Sequence, residues 1–136
     1  MSIKWDPDLF MIGIEDIDKQ HALFFEKIDV LKDAYESNTE NEAIAQILKF
    51  IGEYSQYHFK YEEELMEKYS FPELEHQRQE HKRFYEGYVK LLERFDNEGP
   101  SRKLMLSIYN YISNWLVEHI SGADKAFGVY VNKEKE

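Results

Sequence analysis

Residues 44–66 read IAQILKFIGEYSQYHFKYEEELM, and their spacing sets the architecture. Ile44, Ile47, Leu48, Ile51 and Tyr54 recur three and four apart, the period of one helix face. The same stripe runs on through His58 and Glu62 to Leu65. His58 and Glu62 stand four apart, so both side chains leave the helix in one direction. A carboxylate on an apolar stripe is costly unless it is paired or bound to a metal.

Three further segments carry the helical period. About Asp18 to Ser37 has Phe24, Phe25, Ile28, Leu31 and Tyr35 on one face, and about Glu73 to Phe95 has Leu74, Phe84, Tyr88 and Leu91. About Arg102 to Ile120 has Leu104, Ile108, Ile112, Trp115 and Leu116. Asn38-Thr39, Ser70-Phe71-Pro72 and Asn97-Glu98-Gly99-Pro100-Ser101 interrupt the pattern, and Ser101 can cap the helix after it. Four amphipathic helices on short loops predict an all-α, antiparallel up-down-up-down four-helix bundle. One domain is expected over residues 1–136. Residues 1–17 are an extended arm packed through Trp5, Leu9, Phe10 and Ile12; residues 18–120 are the bundle. Residues 121–136 are a tail ending in a short helix with Phe127, Tyr130 and Val131.

Composition narrows the function. The chain has 136 residues, 43% apolar and 15% aromatic, enough for one packed core. With no cysteine, thiolate metal sites, iron–sulfur clusters and cysteine nucleophiles are excluded. A net charge of −10 disfavours nucleic acid and anionic membranes as partners. No apolar run approaches the roughly 20 residues of a membrane span. The start does not read as a secretory signal, so a cytoplasmic protein is expected, as a monomer or small homo-oligomer and with no output domain attached.

Each helix carries donors on its apolar stripe. His21 precedes Phe24 and Phe25, His81 precedes Phe84, and His119 follows Trp115 and Leu116. Gln77 stands one turn before His81, whereas His76 falls off the stripe and is expected to be exposed. Asp124 lies five residues past His119, where the helix is expected to tighten or end, and a carboxylate suits that end poorly without a cation. Four imidazoles and two carboxylates without sulfur suit iron, manganese or zinc. They are too many for one tetrahedral zinc and match two octahedral ions with each carboxylate shared. Ferritin-like centres carry Glu-x2-His, and the order here is His-x3-Glu.

With these residues the chain resembles the hemerythrin family, its single-domain bacterial form above all. The likeness spans Trp5, Ile17-Asp18-Lys19-Gln20-His21, His58-Phe59-Lys60-Tyr61-Glu62-Glu63, Met66, His81, Trp115-Leu116-Val117-Glu118-His119 and Asp124-Lys125. It implies two non-haem iron ions that bind dioxygen reversibly as hydroperoxide. By the resemblance His21 and His58 would ligate the iron that takes dioxygen, and His81 and His119 the other. Glu62 and Asp124 would bridge them beside an oxo or hydroxo ion, and Trp115 and Leu116 would line an apolar pocket that limits water.

The family has His-x3-His in the third helix, and this chain has Gln77 at the first of those positions. Three arrangements are open. Gln77 binds through its amide oxygen, a water held by Gln77 fills the position, or a helix bulge swings His76 inward. The role implied is oxygen storage, delivery or sensing. The altered ligand leaves an alternative: a di-iron enzyme for peroxide or nitric-oxide reduction or oxidase-type chemistry.

Overall fold

The computed structural model describes residues 4–134. They form α1 (Pro7–Phe10), α2 (Glu15–Glu36), α3 (Glu40–Lys68), α4 (Leu74–Glu98), α5 (Arg102–His119) and α6 (Lys125–Glu134). A π-helical turn, Ile120–Asp124, carries α5 into α6. Among the described residues no helix is long and apolar enough to cross a membrane.

The long helices stop where the backbone turns left-handed, at Asn38 (φ 58°), Ser70 (φ 53°) and Gly99 (φ 75°). Short connections at 37–39, 69–73 and 99–101 send each helix back along the one before. Helices α2 to α5 pack on their chain neighbours, and α5 closes the ring against α2. The result is the expected antiparallel four-helix bundle. At one end Ser101 caps α5 by accepting from the Leu104 N–H at 3.0 Å. There the Arg102 guanidinium reaches Glu40 Oε1 at 3.0 Å and Asn38 Oδ1 at 2.8 Å, and covers the Tyr35 ring.

The core is the sum of the stripes. Phe24, Ile28 and Leu31 meet Ile44, Leu48 and Ile51, then Phe84 and Tyr88, then Leu104, Ile108, Ile112 and Leu116, all buried. Each such side chain contributes about 1.5–3 kcal/mol of burial, against which chain ordering must be set. Gly52, a weak point in a helix by propensity, is explained by packing. A Cβ there would overlap the Tyr88 ring, whose hydroxyl donates to the Leu48 carbonyl at 2.6 Å.

The arm differs from expectation. It is not wholly extended, because Pro7–Phe10 forms a helical turn capped by Asp6, and α2 begins at Glu15 rather than near Asp18. Glu15, Asp16 and Asp18 in the first turn favour that earlier start. The Asp18 carboxylate accepts from the Ile12 and Gly13 N–H groups at 2.8 and 3.1 Å, which fixes the entry. Phe10 and Ile12 are buried and Trp5 packs on Phe25, but Leu9 is exposed, since the turn that points Phe10 inward points Leu9 out. Opposite Gly128 the Ile12 carbonyl passes so close that a Cβ would collide with it, which ties the arm to α6.

Candidate metal centre

The four helices converge on one buried cluster near the bundle end that holds α6. From α2 comes His21, from α3 His58 and Glu62, from α4 Gln77 and His81, from α5 His119, and from the π turn Asp124. None of the seven is more than 4% exposed. His21 Nε2 lies 3.0 Å from Asp124 Oδ2 and His58 Nε2 lies 2.6 Å from Glu62 Oε1. On the other side His119 Nε2 lies 3.1 Å from Asp124 Oδ1, and His81 Nε2 lies 3.8 Å from Glu62 Oε1. Two donor groups result, with ligand atoms within 4.8 Å of one another: His21, His58, Glu62 and Asp124, and Glu62, His81 and His119.

The π turn explains the five-residue spacing. In an α-helix residues five apart point about 140° from each other. Widening the turn to an i→i+5 repeat brings His119 and Asp124 back to one side. The helix therefore neither tightens nor ends after His119, as its sequence suggested. It widens and continues.

Three imidazoles are held from behind. His58 Nδ1 is 2.6 Å from Gln20 Oε1, His81 Nδ1 is 2.7 Å from Glu63 Oε2, and His119 Nδ1 is 2.9 Å from Glu80 Oε2. A ring that donates through Nδ1 turns its Nε2 lone pair inward, the arrangement of a ligating histidine. Sequence reading gave Gln20, Glu63 and Glu80 no role. The available signal was adjacency, since each sits beside a donor: Gln20 by His21, Glu63 by Glu62, and Glu80 by His81. Aromatic rings seal the cluster. Phe59 stacks on His81 at 3.9 Å, Trp115 stacks on His119 at 4.3 Å, and Phe24 meets the His58 ring edge at 5.5 Å. Leu116 is buried one residue on. A groove of about 530 Å³ between α3 and α4, lined by Phe59, Lys60, Glu63, Arg78 and His81, reaches the cluster at His81.

Electrostatics mark the cluster as lacking compensation from protein groups alone. Burial pushes the Glu62 carboxyl well above the usual carboxylate range, and the neighbouring Asp124 charge adds to this. Burial also opposes ionisation of Asp124, but the His119 charge and the close approach of His119, His21 and Glu62 outweigh it and hold Asp124 well below its ordinary value. Burial lowers His58 strongly and His81 less so. It works against His119 too, yet Asp124 and Glu80 raise that ring to about 9. Both Glu62 oxygens, Gln77 Oε1 and the Nε2 atoms of His21, His81 and His119 are buried without a hydrogen-bond partner. Buried polar atoms left unpaired in that number are costly unless a cation sits among them. The donor set therefore fits metal ions.

Gln77 is fully buried, and its Nε2 donates to Asp124 Oδ1 at 3.2 Å. His76 stays outside as expected, with Nε2 3.1 Å from Glu80 Oε1, and α4 runs regularly from Leu74 with no bulge to bring it in.

Comparison with known proteins agrees. Residues 12–130 match the family model of the hemerythrin HHE cation-binding domain. A bacteriohemerythrin of Stenotrophomonas maltophilia is 30% identical over 124 residues, covering 90% of this chain and 77% of that protein. One from Pseudomonas aeruginosa is 31% identical over 132 residues with the same coverage, and a myohemerythrin of Theromyzon tessulatum is 28% identical over 121 residues, covering 89% and 87%. A solved structure described as that of a leucine-to-phenylalanine mutant superposes with a TM-score of 0.81 at 23% identity, over 93% of this chain and 94% of the other, which supports the fold. On that coverage the chain belongs to the hemerythrin family.

Proposed function

We propose that this protein holds two iron ions and binds dioxygen reversibly, for oxygen storage, delivery or sensing. His21 and His58 hold one ion and His81 and His119 the other, with Glu62 and Asp124 between them. The iron pair, when bound, supplies the two electrons that reversible dioxygen binding draws on. One observation carries the reading: six nitrogen and oxygen donors from four helices and the π turn point at one buried place. The protein's own part is positional. Gln20, Glu63 and Glu80 keep three rings turned inward. Phe24, Phe59 and Trp115 keep water from the rings they cover, which slows loss of oxygen as reduced products.

The test is anaerobic loading with ferrous iron, a metal count, and rapid mixing with dioxygen. Two irons per chain and a long-lived visible absorption band that degassing reverses support the proposal. Fewer than two irons rules out the pair. Prompt, irreversible oxidation with turnover of peroxide or nitric oxide would instead establish the enzyme reading, which the glutamine in place of an imidazole favours.

A further inference from the structure

We propose that Gln77 serves the metal pair with both halves of its amide. Oε1 is an oxygen donor to the cation at His81 and His119, and the NH2 group is a clamp on Asp124. The inference rests on the metal-pair reading above and adds the role of this chain's departure from the family pattern.

Four observations carry it. Gln77 sits one regular turn before His81 on the same face of α4 and is fully buried. Its Nε2 donates to Asp124 Oδ1, the same oxygen that faces His119 Nε2 at 3.1 Å. That bond fixes which way the amide points, because a flipped amide would set oxygen against oxygen. Oε1 is then left buried, with no donor to satisfy it among the described residues. Finally, the other candidate for the position is spoken for: His76 is half exposed and paired with Glu80.

The two contacts are complementary. An imidazole offering one nitrogen to a cation turns its other nitrogen away, and so cannot also grip the neighbouring carboxylate. The amide can do both. It links α4 directly to Asp124, which rides on the π turn of another helix. It also replaces a nitrogen donor with a neutral, harder oxygen at that cation.

Cobalt(II) titration of the metal-free full-length chain, followed by calorimetry and visible absorption, tests this without oxygen chemistry. Wild type should bind two ions in two resolved steps. Gln77→Leu, which removes both contacts, should weaken the second step by about tenfold or more and leave the first unchanged. Gln77→Glu, which keeps an oxygen donor but loses the N–H, should bind the second ion at least as tightly as wild type. Circular dichroism of each metal-free variant checks the fold, and Gln77→Met replaces Gln77→Leu should that variant not fold. Equal second-step binding by wild type and Gln77→Leu overturns the inference. So does a Gln77→Glu variant as weak as Gln77→Leu, since the hydrogen bond alone would then explain the loss. A wild type that binds fewer than two ions overturns the underlying metal-pair reading instead.

Discussion

Glu62 is fully buried, and among the described residues neither of its oxygens has a hydrogen-bond partner. Such a group is stable in the interior only as a neutral acid or against a cation. Glu62→Ala is expected to abolish paired binding, leaving at most a single ion, as read by metal analysis after anaerobic loading. Protonation in the metal-free protein follows the same logic. Burial raises Glu62, and Asp124 and Glu80 raise His119 to about 9, so the His119 ring carries its second proton near neutrality. Metal entry displaces it. Calorimetric loading at pH 7 in buffers of different ionisation enthalpy should show release of at least about one proton per chain. The stability sign is fixed by the direction of each shift. His119 and Glu62 have raised values, so their contributions are full at low pH and are lost as pH rises through the folded values. For His119 that window runs from about 6.5 to about 9, worth roughly 3 kcal/mol. The metal-free protein should thus unfold at lower urea concentration at pH 10 than at pH 7, while the loaded protein, whose cations have replaced that proton, should change less.

At the scale of the helix, two glycines make opposite predictions from one chemical change. Gly52 lies under the Tyr88 ring, and a methyl there would displace a buried aromatic and its bond to Leu48. Gly52→Ala should destabilise by about 1–3 kcal/mol despite the gain in helix propensity. Gly122 lies in the π turn with open space around its Cα. Gly122→Ala should stabilise by about 0.5–1 kcal/mol and leave metal stoichiometry unchanged. Urea midpoints at constant m-value read both. These glycines also show where sequence reading stops. Helix periodicity made the four stripes legible, and with them His21, His58, Glu62, Gln77, His81 and His119, because a side chain's face follows from spacing alone; Asp124 stood out only as a carboxylate at an expected helix end. The close crossing at Gly52 depends on a residue 36 positions away, which no local pattern encodes. The π turn was hidden for a similar reason. A widened turn has no composition of its own, and only the demand that Asp124 face the cluster reveals it. Gln20, Glu63 and Glu80 escaped notice because each reaches a ring on a neighbouring helix.

Across the whole molecule the two ends of the bundle are stabilised differently. The end around Tyr35, Glu40 and Arg102 is held by the Ser101 cap, a guanidinium network and a continuous apolar core. The other end places four imidazoles, two carboxylates and an amide where apolar packing would otherwise be, so its cohesion is expected to depend on cations bound among α2, α3, α4, α5 and the π turn. Ions that bind the folded chain alone stabilise it by mass action, about 4 kcal/mol at a thousandfold excess over Kd. For a domain of this size that corresponds to a shift in Tm on the order of 10 °C. Scanning calorimetry of metal-loaded and metal-free protein at one pH should show that difference. Hydrogen exchange should then locate it. On metal removal, amides around His58–Met66, Gln77–His81 and His119–Asp124 should lose protection first, while those at Ile44–Ile51 and Leu104–Ile112 should retain it. A uniform loss along all four helices would mean that the cations stabilise the bundle as one cooperative unit. An unchanged Tm would mean that the buried cluster holds together without them, which its unpartnered donors argue against.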